Sequence, residues 1–136
     1  MFATIPSSTP VVEEASERRP TMATDCLFCK ISTGEIPATI RYEDEELIAI
    51  EDITPQAPHH LLIIPRKHIR TTLDLTTADN NLIGHVYQVA GKLANDLGFA
   101  QDGFRVVNNC NEAGGQSVWH LHFHLLGGRD LSWPPG

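Results

Sequence analysis

The residues with the strongest chemical signal run from Val118 to Leu126, where His120, His122 and His124 alternate with Leu121, Phe123 and Leu125. On a strand, a period of two puts three imidazoles on one face and three apolar side chains on the other. An exposed edge strand would ordinarily use Thr, Lys or Glu there, whereas stacked imidazoles suit a metal or a phosphate. Just upstream, Gly114-Gly-Gln-Ser117 leads into this segment. Gly-Gly alone marks a turn, but beside histidines it can aim backbone N–H groups at an anion. Cys26-Leu-Phe-Cys29 has the two-residue gap of a zinc knuckle with no second pair, so histidines would have to complete a tetrahedral site. A dithiol redox pair and two packed thiols are the competing readings. Asp52, by spacing alone, is a turn residue before Ile53.

These groups must be positioned by a chain of 136 residues with 41% hydrophobic and 20% charged residues, the make-up of one ordinary globular domain. The net charge of -7 argues against a nucleic-acid or anionic-membrane partner. A small anion would need a local site of amides or histidines. Residues 1–24, with Pro6, Pro10 and Pro20 among Ser, Thr and Glu, read as a flexible tail, and Met22 is a possible natural start. The tail lacks the basic and apolar regions of a secretory signal, and no apolar run reaches the roughly 20 residues of a membrane span. A cytoplasmic location is the expectation, and three cysteines there are not a disulfide framework.

From Cys26 onward, Leu27, Phe28 and Ile31 predict a short helix ended by Gly34 and Pro37. Leu47–Ile50 and Leu61–Ile64 predict two buried strands pairing antiparallel. Leu82, Val86, Ala90, Leu93 and Leu97 predict one long helix between Thr76 and Gly98, capped by Thr76 or Thr77. Phe104–Val107 and Val118–Leu126 predict two further strands around the turn segment 108–117. The sum is an α+β domain over residues 25–136, an antiparallel sheet with one long and one short helix.

His120-x-His122-x-His124-Leu-Leu resembles the histidine triad (HIT) motif. Asp52-Ile-Thr-Pro-Gln-Ala-Pro, Ile64-Pro-Arg-Lys-His68, Gly114-Gly-Gln-Ser-Val118, Gly127-Gly-Arg129 and Trp133-Pro-Pro-Gly136 resemble the HINT branch of that superfamily. The resemblance runs from Cys26 to Gly136. It implies a sheet of about five strands, a two-fold homodimer, and hydrolysis of purine nucleoside phosphoramidates. His122 would be the nucleophile attacking phosphorus. His124 and His60 would contact the phosphate, Ser117 would sit near the leaving nitrogen, and the amides around Gly115, Gln116, Ser117 and Val118 would stabilise phosphoryl charge.

Asp52 would accept both ribose hydroxyls, with Asn108 facing the same pocket and Phe28, Ile36, Ile50 and Ile53 lining a slot for the base. Among relatives that keep the cysteine pair, the resemblance implies a structural zinc held by Cys26, Cys29, His68 and His120, the last also being a member of the triad. No organic cofactor is implied. Trp133 would reach the partner subunit's pocket. A dinucleoside polyphosphate hydrolase, a nucleotidyl transferase and a nucleotide-binding scaffold with little turnover are the rival functions. The loop between Asn108 and Gln116 is about one residue longer than in HINT relatives. Cys110 reads as a free thiol, His59 as a solvated neighbour of His60, and His85 as a residue of surface or helix packing without a role.

Overall fold

Leu47–Ile50 and Leu61–Ile64 are apolar on both strand faces, which requires a sheet covered on both sides. The computed structural model describes residues 25–136 and meets this requirement. Its five antiparallel strands are β1 (Ile40–Glu43), β2 (Leu47–Glu51), β3 (His59–Pro65), β4 (Phe104–Val107) and β5 (Phe123–Gly127), in the order β1-β2-β3-β5-β4. The expected α+β class is observed, and β2 and β3 pair antiparallel as expected, with Ile48 opposite Ile64. The tail expected over residues 1–24 lies outside the described residues.

One face of the sheet is covered by a single helix, α2 (Asn80–Asp96), whose Leu82, Val86, Val89, Ala90, Leu93 and Ala94 are buried. They pack on Leu47, Ala49, Leu61, Ile63, Phe123 and Leu125. Thr76 is the cap at this end, but of a 3-10 turn (Thr77–Asp79) that precedes the α-helix. Its side chain accepts from the Ala78 N–H while Asp79 reaches back to the Thr76 N–H, satisfying donors that the first turn leaves open. Gly98, at φ +87°, ends the helix, a conformation that favours a residue without Cβ.

The other face receives α1 (Leu27–Ser32). Its Phe28 and Ile31 pack with Cys26 against Ile48, Ile50, Leu62 and Ile64. Cys26 is the N-cap, its Sγ accepting from the Cys29 N–H at 3.3 Å.

One strand lies where the sequence pattern points to none, and one expectation needs correction. Strand β1 has no apolar alternation to announce it, because its Ile40, Arg41 and Glu43 are exposed and only Tyr42 is half-buried at this sheet edge. The strand expected over Val118–Leu126 begins only at Phe123. Before it, the Leu121 N–H donates to Ile69 O at 2.6 Å, and the Gln116 side chain binds Val118 O, so this stretch is held by a loop rather than a ladder. The alternation survives the missing strand. Leu121, Phe123 and Leu125 enter the α2 core, while Phe28 of α1 meets the rings of His120 and His122 on the opposite side.

Candidate active site

Each histidine of the triad is fixed by what one of its nitrogens touches. Nδ1 of His122 lies 2.7 Å from His120 O. A carbonyl only accepts, so Nδ1 carries the proton and Nε2 the lone pair. The ring is buried, with Phe28 edge-on at 5.0 Å between centroids. Burial lowers its pKa against the opposing pull of the His120 carbonyl and Asp52, so the lone pair persists at neutral pH. Asn108 Nδ2 donates to His122 O at 3.0 Å, and Asn108 Oδ1 is itself hydrogen-bonded by Thr72 Oγ1. Asn108, expected to face a ligand, therefore holds the backbone of His122.

His60 and His124 come together across the β3–β5 pairing, Nε2 to Nδ1 at 2.9 Å. Burial pushes both rings toward the neutral form. His124 goes down to about 4, with the neighbouring His122 and His60 adding to burial and Asp52 opposing. Asp52 Oδ2 stands 3.4 Å from His60 Nε2, while Oδ1 accepts from the Thr54 N–H (2.8 Å) and hydroxyl (3.2 Å). The turn reading of Asp52 is thus met by Oδ1, while Oδ2 faces His60.

His120 is turned away into a separate cluster. Its Nε2–H donates to Pro65 O at 2.6 Å, which leaves Nδ1 with its lone pair 3.2 Å from Cys26 Sγ, 3.5 Å from Cys29 Sγ and 3.1 Å from His68 Nδ1. His68 Nδ1 is 3.4 Å from Cys29 Sγ. Ligand atoms about 2.0–2.3 Å from an ion in a tetrahedron stand about 3.3–3.8 Å from one another, so this donor set fits a single zinc-sized cation once its two closest contacts, 3.1 and 3.2 Å, open by a few tenths of an ångström. The carbonyl behind His120 is the kind of outer partner that fixes a ligating imidazole. Burial, then the hydrogen bond and charge of Cys26, push the Cys29 thiol up to about 12, so without a cation Cys29 stays protonated at neutral pH.

The loop ahead of the triad divides its labour. Ser117 is exposed, as a residue contacting a ligand can be. The Gln116 side chain is buried and engaged internally, accepting from the Asn111 N–H and donating to Arg70 O and Val118 O. Its backbone N–H donates to Asn111 O, as that of Gly115 does to Glu112 O, so these two of the four amides expected to face an anion are instead committed to the loop. A Cβ on Gly114 would stand 2.4 Å from Cys110 O, so this glycine is required by loop closure; at Gly115, φ +84°, a Cβ would meet Asn109 Nδ2 at an ordinary contact distance of 3.7 Å.

Phe28, Ile36 and Ile50, expected with Ile53 to line a slot for the base, belong with Val118 to the core cluster beside α1, and Ile53 does not join it, being 95% exposed on the β2–β3 turn. Trp133 is 82% exposed beyond a tail that Arg105 ties through Leu131 O and Ser132 O. His59 is half-buried and stacked on Phe99 at 4.6 Å, His85 binds Asp44 at 2.6 Å, and Cys110 is a free thiol. The contributions of Pro65 O, Thr72, the Gln56 amide and Arg129 were missed; backbone groups carry no residue-type signal that could have announced two of them.

The sequence profile of the HIT domain family matches residues 33–131, and the chain belongs to that family. It is 47% identical over 115 residues to an uncharacterized HIT-like protein of Synechococcus elongatus, covering 85% of this chain and all of that one. The fold matches a HIT family hydrolase from Legionella pneumophila Philadelphia 1 with a TM-score of 0.81 at 54% identity, covering 82% of this chain and 99% of that one. A histidine triad protein from Clostridium difficile matches with a TM-score of 0.77 at 46% identity, covering 79% and 94%. The chain thus has the fold of HIT family hydrolases. No helix among the described residues is long and apolar enough to cross a membrane.

Proposed function

We propose that this chain is a hydrolase of purine nucleoside phosphoramidates, of the HINT type, acting through a nucleotidyl-histidine. The observation that carries the reading is the His122 ring, held with its proton on Nδ1 by His120 O and its lone pair on Nε2. Nε2 attacks the α-phosphorus, the P–N bond breaks, and the leaving nitrogen takes a proton, with the Ser117 hydroxyl beside it. Water then attacks the phosphorus of the adduct, releasing the nucleoside monophosphate and the neutral imidazole. His60, His124 and the amides of Ser117 and Val118 stabilise charge on the phosphoryl oxygens. Asp52 binds the ribose, and Phe28, Ile36, Ile50 and the exposed Ile53 receive the base.

In this reading zinc is held by Cys26, Cys29, His68 and His120 and ties α1 to the catalytic segment; it supplies structure, not chemistry. The working unit is a homodimer in which Trp133 reaches the partner subunit's pocket. The test is mass spectrometry of protein quenched with an adenosine phosphoramidate. A nucleotidyl adduct on His122 is expected, while turnover without any adduct would point to direct attack by water. Faster hydrolysis of a dinucleoside polyphosphate would reassign the substrate.

A further inference from the structure

Asp52, His60 and His124 bring their ligand atoms within 4.8 Å of one another, a composition that a metal ion can use. The hydrogen bonds around them point elsewhere. The Gln56 amide N–H can only donate, and it meets Nδ1 of His60 at 3.0 Å. That nitrogen must carry the lone pair, so the neutral ring has its proton on Nε2. Nε2 in turn faces Nδ1 of His124 at 2.9 Å and the more distant Asp52 Oδ2 at 3.4 Å. The nearer acceptor takes the bond, which leaves the neutral His124 ring with its own proton on Nε2. Ligation of a metal by Nε2 of His60 would move the proton to Nδ1, directly against the Gln56 N–H.

The Gln56 backbone is itself clamped. Its carbonyl accepts from Arg129 Nε at 3.0 Å, and its side-chain amide donates to Thr54 O at 3.0 Å. Arg129 lies two residues beyond β5, the strand that carries His124, so one segment supplies the donor and the arm that braces it.

We propose that Gln56 is a positioning residue whose backbone amide sets the tautomers of His60 and His124 in series, so that His124 presents a neutral Nε2–H donor to an anionic phosphoryl oxygen and the Asp52–His60–His124 group takes up no metal ion. Arg129 positions Gln56. The phosphoryl acceptor rests on the function proposed above; the tautomer series does not. A donor set before the ligand arrives needs no reorganisation during reaction, which is the condition under which such donors contribute most.

The test is the long-range ¹⁵N spectrum of the full, metal-replete chain labelled at histidine, near neutral pH. His60 and His124 should both carry the proton on Nε2, and a proton on Nδ1 of either would overturn the series. Gln56→Pro, which deletes the N–H, should give His60 a mixed tautomer population and lower kcat roughly three- to tenfold, in line with one lost hydrogen bond. Gln56→Ala, which keeps the N–H, should keep the tautomers. A folded Gln56→Pro protein with unchanged tautomers would overturn the role of the amide. Should that variant not fold, Arg129→Ala decides, since it should raise the Nδ1–H share of His60 and Arg129→Lys should reverse the change. No response to Arg129→Ala would reject the clamp. Cobalt(II) added beyond one equivalent should leave the His60 and His124 resonances unshifted, and paramagnetic shifts there would make the group a metal site. An inactive phosphoramidase with the expected spectrum would refute the function and leave the tautomer series standing.

Discussion

Along β3, Leu61 and Ile63 go under α2 while His60, Leu62 and Ile64 go to the side covered by α1; along β5, Phe123 and Leu125 go under α2 while His124 goes with His60. The same two strands thus build a dry face and a face that buries imidazoles. The dry face is hydrocarbon apart from His59, stacked on Phe99 at its end, and sets the register, because a slip of one residue would turn every side chain to the wrong side. The other face inherits that register and must satisfy each buried nitrogen. It does so with backbone groups: Pro65 O for His120, His120 O for His122 and the Gln56 N–H for His60. Every such bond commits one nitrogen and leaves the other for chemistry, so polar satisfaction on this face and the proposed catalytic geometry are one arrangement.

The comparison predicts that damage to the two faces separates into different observables. The largest effect should come from His122→Ala, which removes the covalent route and with it measurable turnover of a phosphoramidate. Its stability cost should stay within about 1–3 kcal/mol, that of leaving one buried carbonyl unpaired. Turnover near the native rate would reject the nucleophile. Leu125→Ala should do the converse, lowering unfolding free energy by about 2–5 kcal/mol in urea titrations while kcat per folded molecule stays close to native. A stable Leu125→Ala protein with impaired kcat would show that the faces are not separable. His124→Ala should fall between them, costing about 3 kcal/mol in the barrier, roughly a hundredfold in kcat.

Much of this division was legible in the sequence. Alternation of His with Leu and Phe over 120–125 assigned each side chain to its face even though the strand covers only the end of that run. The reason is that burial of Leu121 selects the face before any ladder forms. The CxxC spacing pointed to two thiols in need of histidine partners, the family resemblance named His68 and His120, and the structure brings Cys26, Cys29, His68 and His120 together. β1 was not legible, since a short exposed edge strand needs no apolar period. Neither was the bracing of the site by Asn108, Gln116 and Gln56, because an amide side chain or a backbone N–H has the same composition whether it faces a ligand or another loop.

A pH titration sharpens the contrast with a smaller effect. Burial lowers the pKa values of His60, His122 and His124, the last to about 4, against an unfolded value of ~6.5. As pH falls below ~6.5 the unfolded chain binds protons that the folded chain refuses, so stability present above that pH declines until the folded rings titrate, His124 at about 4. Leu125→Ala should give a stability curve parallel to wild type, because no titrating group is lost. His124→Gln should flatten it, and an unchanged slope would mean that His124 is not held neutral by the fold.

The smallest effect concerns Trp133. Arg105 ties the chain through Leu131 O and Ser132 O, after which Trp133 projects with 82% of its surface exposed and no place in either cluster of the core. A large aromatic held on a tethered segment and left in solvent is the kind of group that contacts a partner or a ligand. In the proposed homodimer it borders the leaving-group side of the partner's pocket, where it can discriminate among amines without touching phosphorus. Deleting residues 133–136 should therefore leave stability and the rate on a minimal phosphoramidate near native. It should change the ranking of kcat/KM among amine leaving groups by roughly ten- to a hundredfold for the bulkiest, the range a single apolar contact confers. Sedimentation of the truncated chain keeps the outcomes apart. An altered ranking in an intact dimer assigns the tail to specificity, and a native ranking in an intact dimer removes Trp133 from the site. A monomer that regains the native ranking when concentrated into dimer would make the tail an assembly element alone.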